Sequence, residues 1–150
     1  MNRKILIVGG TGFIGQRLVE RCLLAKFNIT TISKTKRKNK HKSIHQIYCD
    51  ISKKYYLHKA LNNKKFDYVV NLAGYVDHSK KIKTIQSHYN GCKNLAEYFK
   101  LKNIKKFIQI GSSVEYGKVE SPQTENKKVK QKILKSNYGL AKFKATDYLL

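Results

Sequence analysis

Three glycines in Gly9-Gly10-Thr11-Gly12-Phe13-Ile14-Gly15 follow a continuous apolar run, Lys4-Ile5-Leu6-Ile7-Val8. Between a strand and a helix this spacing suits a dinucleotide pyrophosphate: Gly9 permits the sharp turn, Gly12 lets the backbone approach the phosphates, and Gly15 lets helix and strand pack closely. Exposed N–H groups and the helix dipole then attract the anion. A glycine trio alone is a weak signal, because glycine turns also merely end strands. A second grouping, Tyr138-Gly139-Leu140-Ala141-Lys142, places a phenol and an ammonium at i and i+4, on one face of a helix. A nearby cation favours the phenolate and makes a tyrosine a usable acid or base near neutrality. With 10 Tyr and 28 Lys in the chain such a pair also arises by chance, and a half-buried core tyrosine is the alternative.

These residues need a scaffold, and the apolar pattern supplies one. Lys4 to Val8 reads as a strand buried on both faces. Ile14, Leu18 and Cys22 at i, i+4 and i+8 predict an amphipathic helix over about 12–26. Further strands are predicted at 28–33, 44–49, 66–72 and 107–112, with a short helix at 53–62. A long helix over about 79–102 is drawn from Ile82, Ile85, Tyr89, Cys92, Ala96 and Phe99, and a last helix runs from Tyr138 to Leu150. The polar stretch from Gly117 to Ser136, with the only proline, Pro122, reads as a long loop. Strands alternating with helices imply a parallel, doubly wound α/β sheet.

Composition narrows the function. The chain has 150 residues, 41% of them hydrophobic, and a formal charge of +23. Of 32 basic residues only 4 are Arg, whereas phosphate and base recognition favours the arginine fork, so nucleic-acid binding is disfavoured. Lys36 to Lys42 and Lys127 to Lys132 read as solvated loops. No apolar run reaches the ~18 residues of a membrane span, and a soluble cytoplasmic protein is expected. Cys22, Cys49 and Cys92 lack paired spacing and read as small core residues. His41 and His45 lie where i and i+4 do not converge, so no metal site is expected.

An acidic residue at the end of the second strand ordinarily binds the ribose 2′-hydroxyl of NAD. Between Glu20 and Asp50 this chain has no Asp or Glu, and Ser33, Lys34, Lys36 and Arg37 occupy that zone. A hydroxyl and cations suit a 2′-phosphate, so NADP(H) is expected over NAD(H); a basic loop that touches nothing is the alternative.

The ordered set of Gly9-x-x-Gly12-x-x-Gly15, Asp50-Ile51, Asn71-Leu72-Ala73-Gly74, Ile110-Gly111-Ser112-Ser113-Val114-Glu115-Tyr116-Gly117 and Tyr138-x-x-x-Lys142 resembles the short-chain dehydrogenase/reductase superfamily. It most resembles the extended branch of sugar-nucleotide epimerases, dehydratases and reductases. The resemblance implies a Rossmann fold, hydride transfer between NAD(P) and a sugar carbon, and a nucleotide-linked sugar as substrate. It makes Ser112 the hydroxyl that binds the reacting oxygen, Tyr138 the acid/base and Lys142 the residue that tunes it and holds the nicotinamide ribose. Phe13 and Ile14 join the glycines at the pyrophosphate, Asp50 and Ile51 border the adenine, and Leu72, Ala73 and Gly74 lie along the cofactor's phosphates and ribose. Dimerisation through the long and last helices is permitted.

Three departures qualify this. The dehydratases carry an acid one or two places after the Ser112 position, where this chain has Ser113 and Val114, so an epimerase or reductase is expected; Glu115 has the wrong offset and is given no catalytic role. The family's asparagine three places before Gly91 is replaced by His88. The sequence stops at Leu150, inside the helix that begins at Tyr138, so an N-terminal cofactor-binding part, inactive alone and without a substrate domain, is expected.

Overall fold

The computed structural model describes residues 3–36, 41, 43–118, 122, 124 and 134–150. The strands are β1 (Lys4–Val8), β2 (Asn28–Ser33), β3 (His45–Tyr48), β4 (Tyr68–Asn71) and β5 (Lys106–Gln109). They form one sheet in the order β3-β2-β1-β4-β5, every pair parallel. The chain steps outward from β1 to β3 and then returns to β4 on the other side of β1. The C-terminal ends of β1 and β4 therefore flank the point where strand order reverses, the place where open α/β sheets bind ligands.

Strand alternation divides the core in two. Leu6 and Val8 of β1 face Leu57 and Leu61 of helix α2 (Lys54–Leu61) and Leu95 and Phe99 of α4 (Gly91–Phe99). Ile5 and Ile7 face Val19 and Cys22 of α1 (Phe13–Leu24), with Ile29 and Val70 beside them. With both faces covered, β1 must be apolar throughout, which is why its sequence shows no alternation. This is the doubly wound Rossmann arrangement that the pattern implies. The three cysteines are free and buried, as expected.

Two helices turn differently from their apolar pattern. On α1 the buried residues are Gly15, Val19 and Cys22, while Ile14 is 61% exposed. Gly15 lies against the backbone of the preceding turn, and that contact fixes which side of the helix meets the sheet. The long helix is α3 (Lys81–Ile85), a π-helical turn (Gln86–Asn90) and α4 in succession. Its extra residue in the turn shifts the phase, so Thr84 and His88 are buried and Ile82 is 72% exposed. Helix α5 (Asn137–Leu149) starts at Ser136, whose Oγ accepts the Gly139 N–H at 2.9 Å. Arg37, the Lys127 to Lys132 run and most of the expected 117–136 loop lie outside the described residues.

Leu95 is fully buried among both strands and helices. Leu95→Ala is expected to cost about 2–5 kcal/mol in urea denaturation, whereas Leu101→Ala, at a 91% exposed position, changes stability by under about 0.5 kcal/mol.

Candidate functional site

The turn from β1 to α1 is built from backbone contacts too close for side chains. Gly9 has φ +83°, its N–H donates to the Ile32 carbonyl at 2.7 Å, and a Cβ there would stand 2.9 Å from the Ala73 nitrogen. A Cβ on Gly15 would stand 2.2 Å from the Gly9 carbonyl oxygen. Gly12 differs: beyond the Gly9 oxygen at 3.3 Å its Cβ would meet only open space. No side chain caps the start of α1, so the N–H groups of Phe13, Ile14 and Gly15 lie at a helix end that could receive an anion.

Beside this turn is a cleft of about 610 Å³, lined by Gly9, Thr11 and Gly12, by Ile32 to Thr35, by Cys49 to Ser52 and by Leu72 to Val76. Lys34 and Asp50 meet across it in an ion pair of 2.8 Å. The other oxygen of Asp50 accepts from the Ser52 N–H at 3.0 Å and hydroxyl at 2.7 Å. Burial alone would raise the Asp50 pKa; the hydrogen bonds from Lys34 and Ser52 outweigh it and hold the carboxyl below its ordinary value. Ser33 is buried and donates to the Thr35 carbonyl at 3.1 Å. Ile51 is held by the buried Asn94 amide, which donates to its carbonyl at 2.9 Å.

The opposite wall depends on the π-helical turn. The Tyr75 N–H donates to Ser87 Oγ at 3.1 Å, and the Tyr75 carbonyl lies 3.1 Å from His88 Nε2, so two consecutive residues of the turn hold both polar groups of one residue's backbone. Gly74 has no room for a side chain, because a Cβ would stand 2.2 Å from His88 Cε1. Burial pushes the His88 pKa down to about 4, against the opposing hydrogen bond to Tyr75. A neutral ring donating from Nε2 leaves Nδ1 as an acceptor, and that buried atom has no protein partner.

His88 also leads to the second cluster. Its ring meets the Tyr138 ring edge-on at 4.9 Å, and His78 stacks parallel on Tyr138 at 4.1 Å with 5° between planes. Lys142 is buried, lies 5.8 Å from the Tyr138 ring centroid and donates to the Ile110 carbonyl at 2.5 Å. Burial lowers the Lys142 pKa, partly offset by Glu115 and Cys92. Ser112 is tied to the same helix through Glu115, whose buried carboxylate accepts from the Ser112 N–H and from the Thr146 hydroxyl of α5, each at 2.5 Å. Gly139 completes the junction, since a Cβ there would stand 2.8 Å from the Val114 carbonyl oxygen.

Of the residues expected at the site, Gly9, Gly12, Ser33, Lys34, Asp50, Ile51, Leu72, Ala73 and Gly74 line one cleft. Phe13, Ile14 and Gly15 stand at the adjoining helix start without lining it; Tyr138 and Lys142 lie together beyond Tyr75 and His88, and Ser112 is joined to their helix through Glu115 and Thr146. Sequence reasoning missed His78, which had no usable spacing, and Glu115, which was set aside for its offset. Its signal was the Ser112-x-x-Glu115 spacing, in which a carboxylate three residues on can reach back to the first residue's N–H. Among the described residues no group of three or more His, Cys, Asp or Glu could hold a metal, and no helix is long and apolar enough to cross a membrane.

A Rossmann sheet with a glycine turn at its switch point defines a dinucleotide-binding type of protein, and comparison gives the family. Residues 5–150 match the NAD dependent epimerase/dehydratase family, to which the chain belongs. It is 31% identical to a dTDP-D-glucose 4,6-dehydratase of Dictyostelium discoideum, over 86% of this chain and 34% of that one. It is 26% identical to a bifunctional UDP-glucose and UDP-xylose 4-epimerase of Pisum sativum, over 79% of this chain and 39% of that one. Among solved structures, the Bordetella bronchiseptica enzyme WbmG with NAD and UDP superposes with TM-score 0.87 at 20% identity, over 99% of this chain and 49% of that one. A UDP-Glc/GlcNAc 4-epimerase of Campylobacter jejuni gives 0.85 at 21% identity, over 99% and 48%. The chain thus spans little more than a third of these curated relatives and about half of these solved ones. The comparisons lend no support to the expected preference for NADP(H), since WbmG was solved with NAD.

A histidine whose pKa is about 4 in the fold and 6.5 when unfolded makes the unfolded state bind the extra proton between those values, so stability falls as pH is lowered through that window. His88→Asn is expected to remove about 1–2 kcal/mol from the loss of stability between pH 7 and pH 5, read from urea unfolding at both values. An equal pH slope in both proteins would mean that the ring titrates normally in the fold.

Proposed function

We propose that this chain is the cofactor-binding part of an enzyme that epimerises or reduces a nucleotide-linked sugar with a nicotinamide dinucleotide. The observation that carries this reading is the junction at Tyr75 and His88, which joins the cleft beside the glycine turn to the Tyr138 and Lys142 pair. The glycine turn fits the cofactor: Gly12 leaves open the space a backbone needs to approach a phosphate, and the uncapped start of α1 faces it. Gly9, Gly12 and the N–H groups of Phe13, Ile14 and Gly15 would hold the pyrophosphate. Ser33 and Lys34 would lie at the adenosine ribose, Asp50 and Ile51 at the adenine, and Leu72, Ala73 and Gly74 along the nicotinamide half.

When bound, the nicotinamide supplies a hydride acceptor and donor. Tyr138 takes the proton of the sugar hydroxyl as hydride leaves the same carbon, and gives it back when hydride returns. Hydride returned to the opposite face would give the epimer, and hydride delivered to a carbonyl would give the reduced sugar. Ser112 donates to the reacting oxygen. Lys142, anchored on the Ile110 carbonyl, holds positive charge beside the phenol ring and reaches the nicotinamide ribose. Ser113 and Val114 offer no acid at the two places after Ser112, which favours epimerisation or reduction over dehydration. The greater length of the relatives supports sugar recognition by residues outside those matched here.

In the full-length protein, Tyr138→Phe is expected to lower turnover of UDP-glucose or dTDP-glucose at least 10²-fold while leaving the NADH Kd within about threefold. Gly12→Ala should weaken NADH binding without moving the unfolding midpoint. Undiminished turnover by Tyr138→Phe would remove the acid/base assignment. Cofactor binding without turnover of any nucleotide sugar would mark a non-catalytic dinucleotide-binding module.

A further inference from the structure

Glu115 and Lys142 are the buried carboxylate and the buried ammonium of the described residues. Burying a carboxylate is costly unless its oxygens are bonded, and here both are. Oε1 accepts the Ser112 N–H and Oε2 accepts the Thr146 hydroxyl. Gly111 makes room for them, since a Cβ there would stand 2.9 Å from Oε1. The charge of Glu115 also acts on Lys142, opposing the fall in pKa that burial causes.

We propose that Glu115 is a positioning residue, which fixes Ser112 against the face of α5 that carries Tyr138 and Lys142 by one hydrogen bond to each side. The inference rests on the acid/base reading above, in which Ser112 meets the reacting oxygen. Tyr138, Lys142 and Thr146 recur every four residues and so share one face of α5. That side of the helix meets the segment after β5 at three points: Lys142 donates to the Ile110 carbonyl, Gly139 lies against the Val114 carbonyl, and Thr146 donates to Glu115. The first two contacts hold residues 110 and 114, on either side of Ser112. Ser112 itself is held at both backbone polar groups by Glu115, its N–H by the carboxylate and its carbonyl by the Glu115 N–H at 3.0 Å. Without the carboxylate the helix keeps its contacts at 110 and 114, but Ser112 is no longer tied to it.

Glu115→Gln separates the two bonds from the charge. Its amide oxygen can still accept the Ser112 N–H, and its NH2 can donate to Thr146, whose hydroxyl turns to accept. Glu115→Ala loses both bonds, and Thr146→Val loses only the link to α5.

The experiment is steady-state turnover of UDP-glucose and of dTDP-glucose by the full-length protein with NAD, beside NADH Kd values from fluorescence titration. Glu115→Ala is expected to lower kcat about 10- to 100-fold while KM and the NADH Kd stay within about threefold. Glu115→Gln should recover kcat to within about fivefold of the wild type, and Thr146→Val should lie between the other two. Because Glu115 acts through Ser112, adding Glu115→Ala to Ser112→Ala should cost less than about threefold more. Wild-type kcat in Glu115→Ala, a kcat for Glu115→Gln as low as that for Glu115→Ala, or losses that multiply in the double variant each overturn the inference and leave the acid/base reading standing. Should Glu115→Ala not fold, the milder variants decide: wild-type kcat in Thr146→Val, or Glu115→Gln slower than Thr146→Val, overturns it. No turnover of either sugar by the wild type, or full turnover by Ser112→Ala, overturns the reading and the inference with it.

Discussion

Gly9 lies where three backbones converge. Its positive φ turns the chain out of β1, its Cα packs against the Leu72–Ala73 backbone at the end of β4, and its carbonyl accepts the Gly12 N–H at 3.0 Å while lying against Gly15. The start of α1 can point into the cleft only because no Cβ intervenes at positions 9 and 15. The same closeness sets which side of α1 faces the sheet, and so selects Val19 and Cys22 as core residues and leaves Ile14 outside. A steric constraint at one turn thus governs both the shape of the cleft beside it and half of the hydrophobic packing.

The second half of the site depends on a departure from regular helix. In an unbroken α-helix the N–H groups are consumed within the helix and side chains advance at a constant phase. The π-helical turn inserts a residue, and Ser87 and His88 together come to hold the backbone of Tyr75. His88 is buried without a partner for Nδ1, a standing cost that local packing must offset. In return one ring touches the cleft wall at Gly74 and the edge of Tyr138. The two clusters are therefore mechanically continuous, although the residues that form them are far apart in sequence.

Charge economy distinguishes this chain. Acids are scarce, 9 against 32 basic residues, and four of those in the described fold sit at junctions. Asp67 accepts the Lys4 N–H at 2.7 Å and pins the start of β1 beside β4; Glu97 bonds Lys54 of α2 from α4; Glu115 joins Ser112 to α5; Asp50 joins the ends of β2 and β3. Surface pairs such as Arg17 with Glu20 are worth little, but a half-buried acid with several partners fixes geometry even where its net energy is small. Among the described residues most lysines are exposed or half-buried.

The amino-acid order alone determined the strand and helix succession, the buried centre of the sheet, and the glycine turn, because apolar periodicity and glycine's conformational freedom act over a few residues. It also determined family membership through motifs kept in order along the chain. Local pattern placed Cys22, Cys92 and Phe99 in the core, where they lie, but put Ile14 and Ile82 there wrongly, since a backbone contact at the start of α1 and a π turn in the long helix rotate those side chains away from their periodic expectation. It treated Lys34 as a free cation, because the acid that holds it lies just beyond the end of the next strand and only parallel pairing brings the two together. His78, His88 and Glu115 acquire their positions around Tyr138, Lys142 and Ser112 only when the π turn and α5 pack against one another. Such long-range proximity is a property of the closed chain, and no local spacing encodes it.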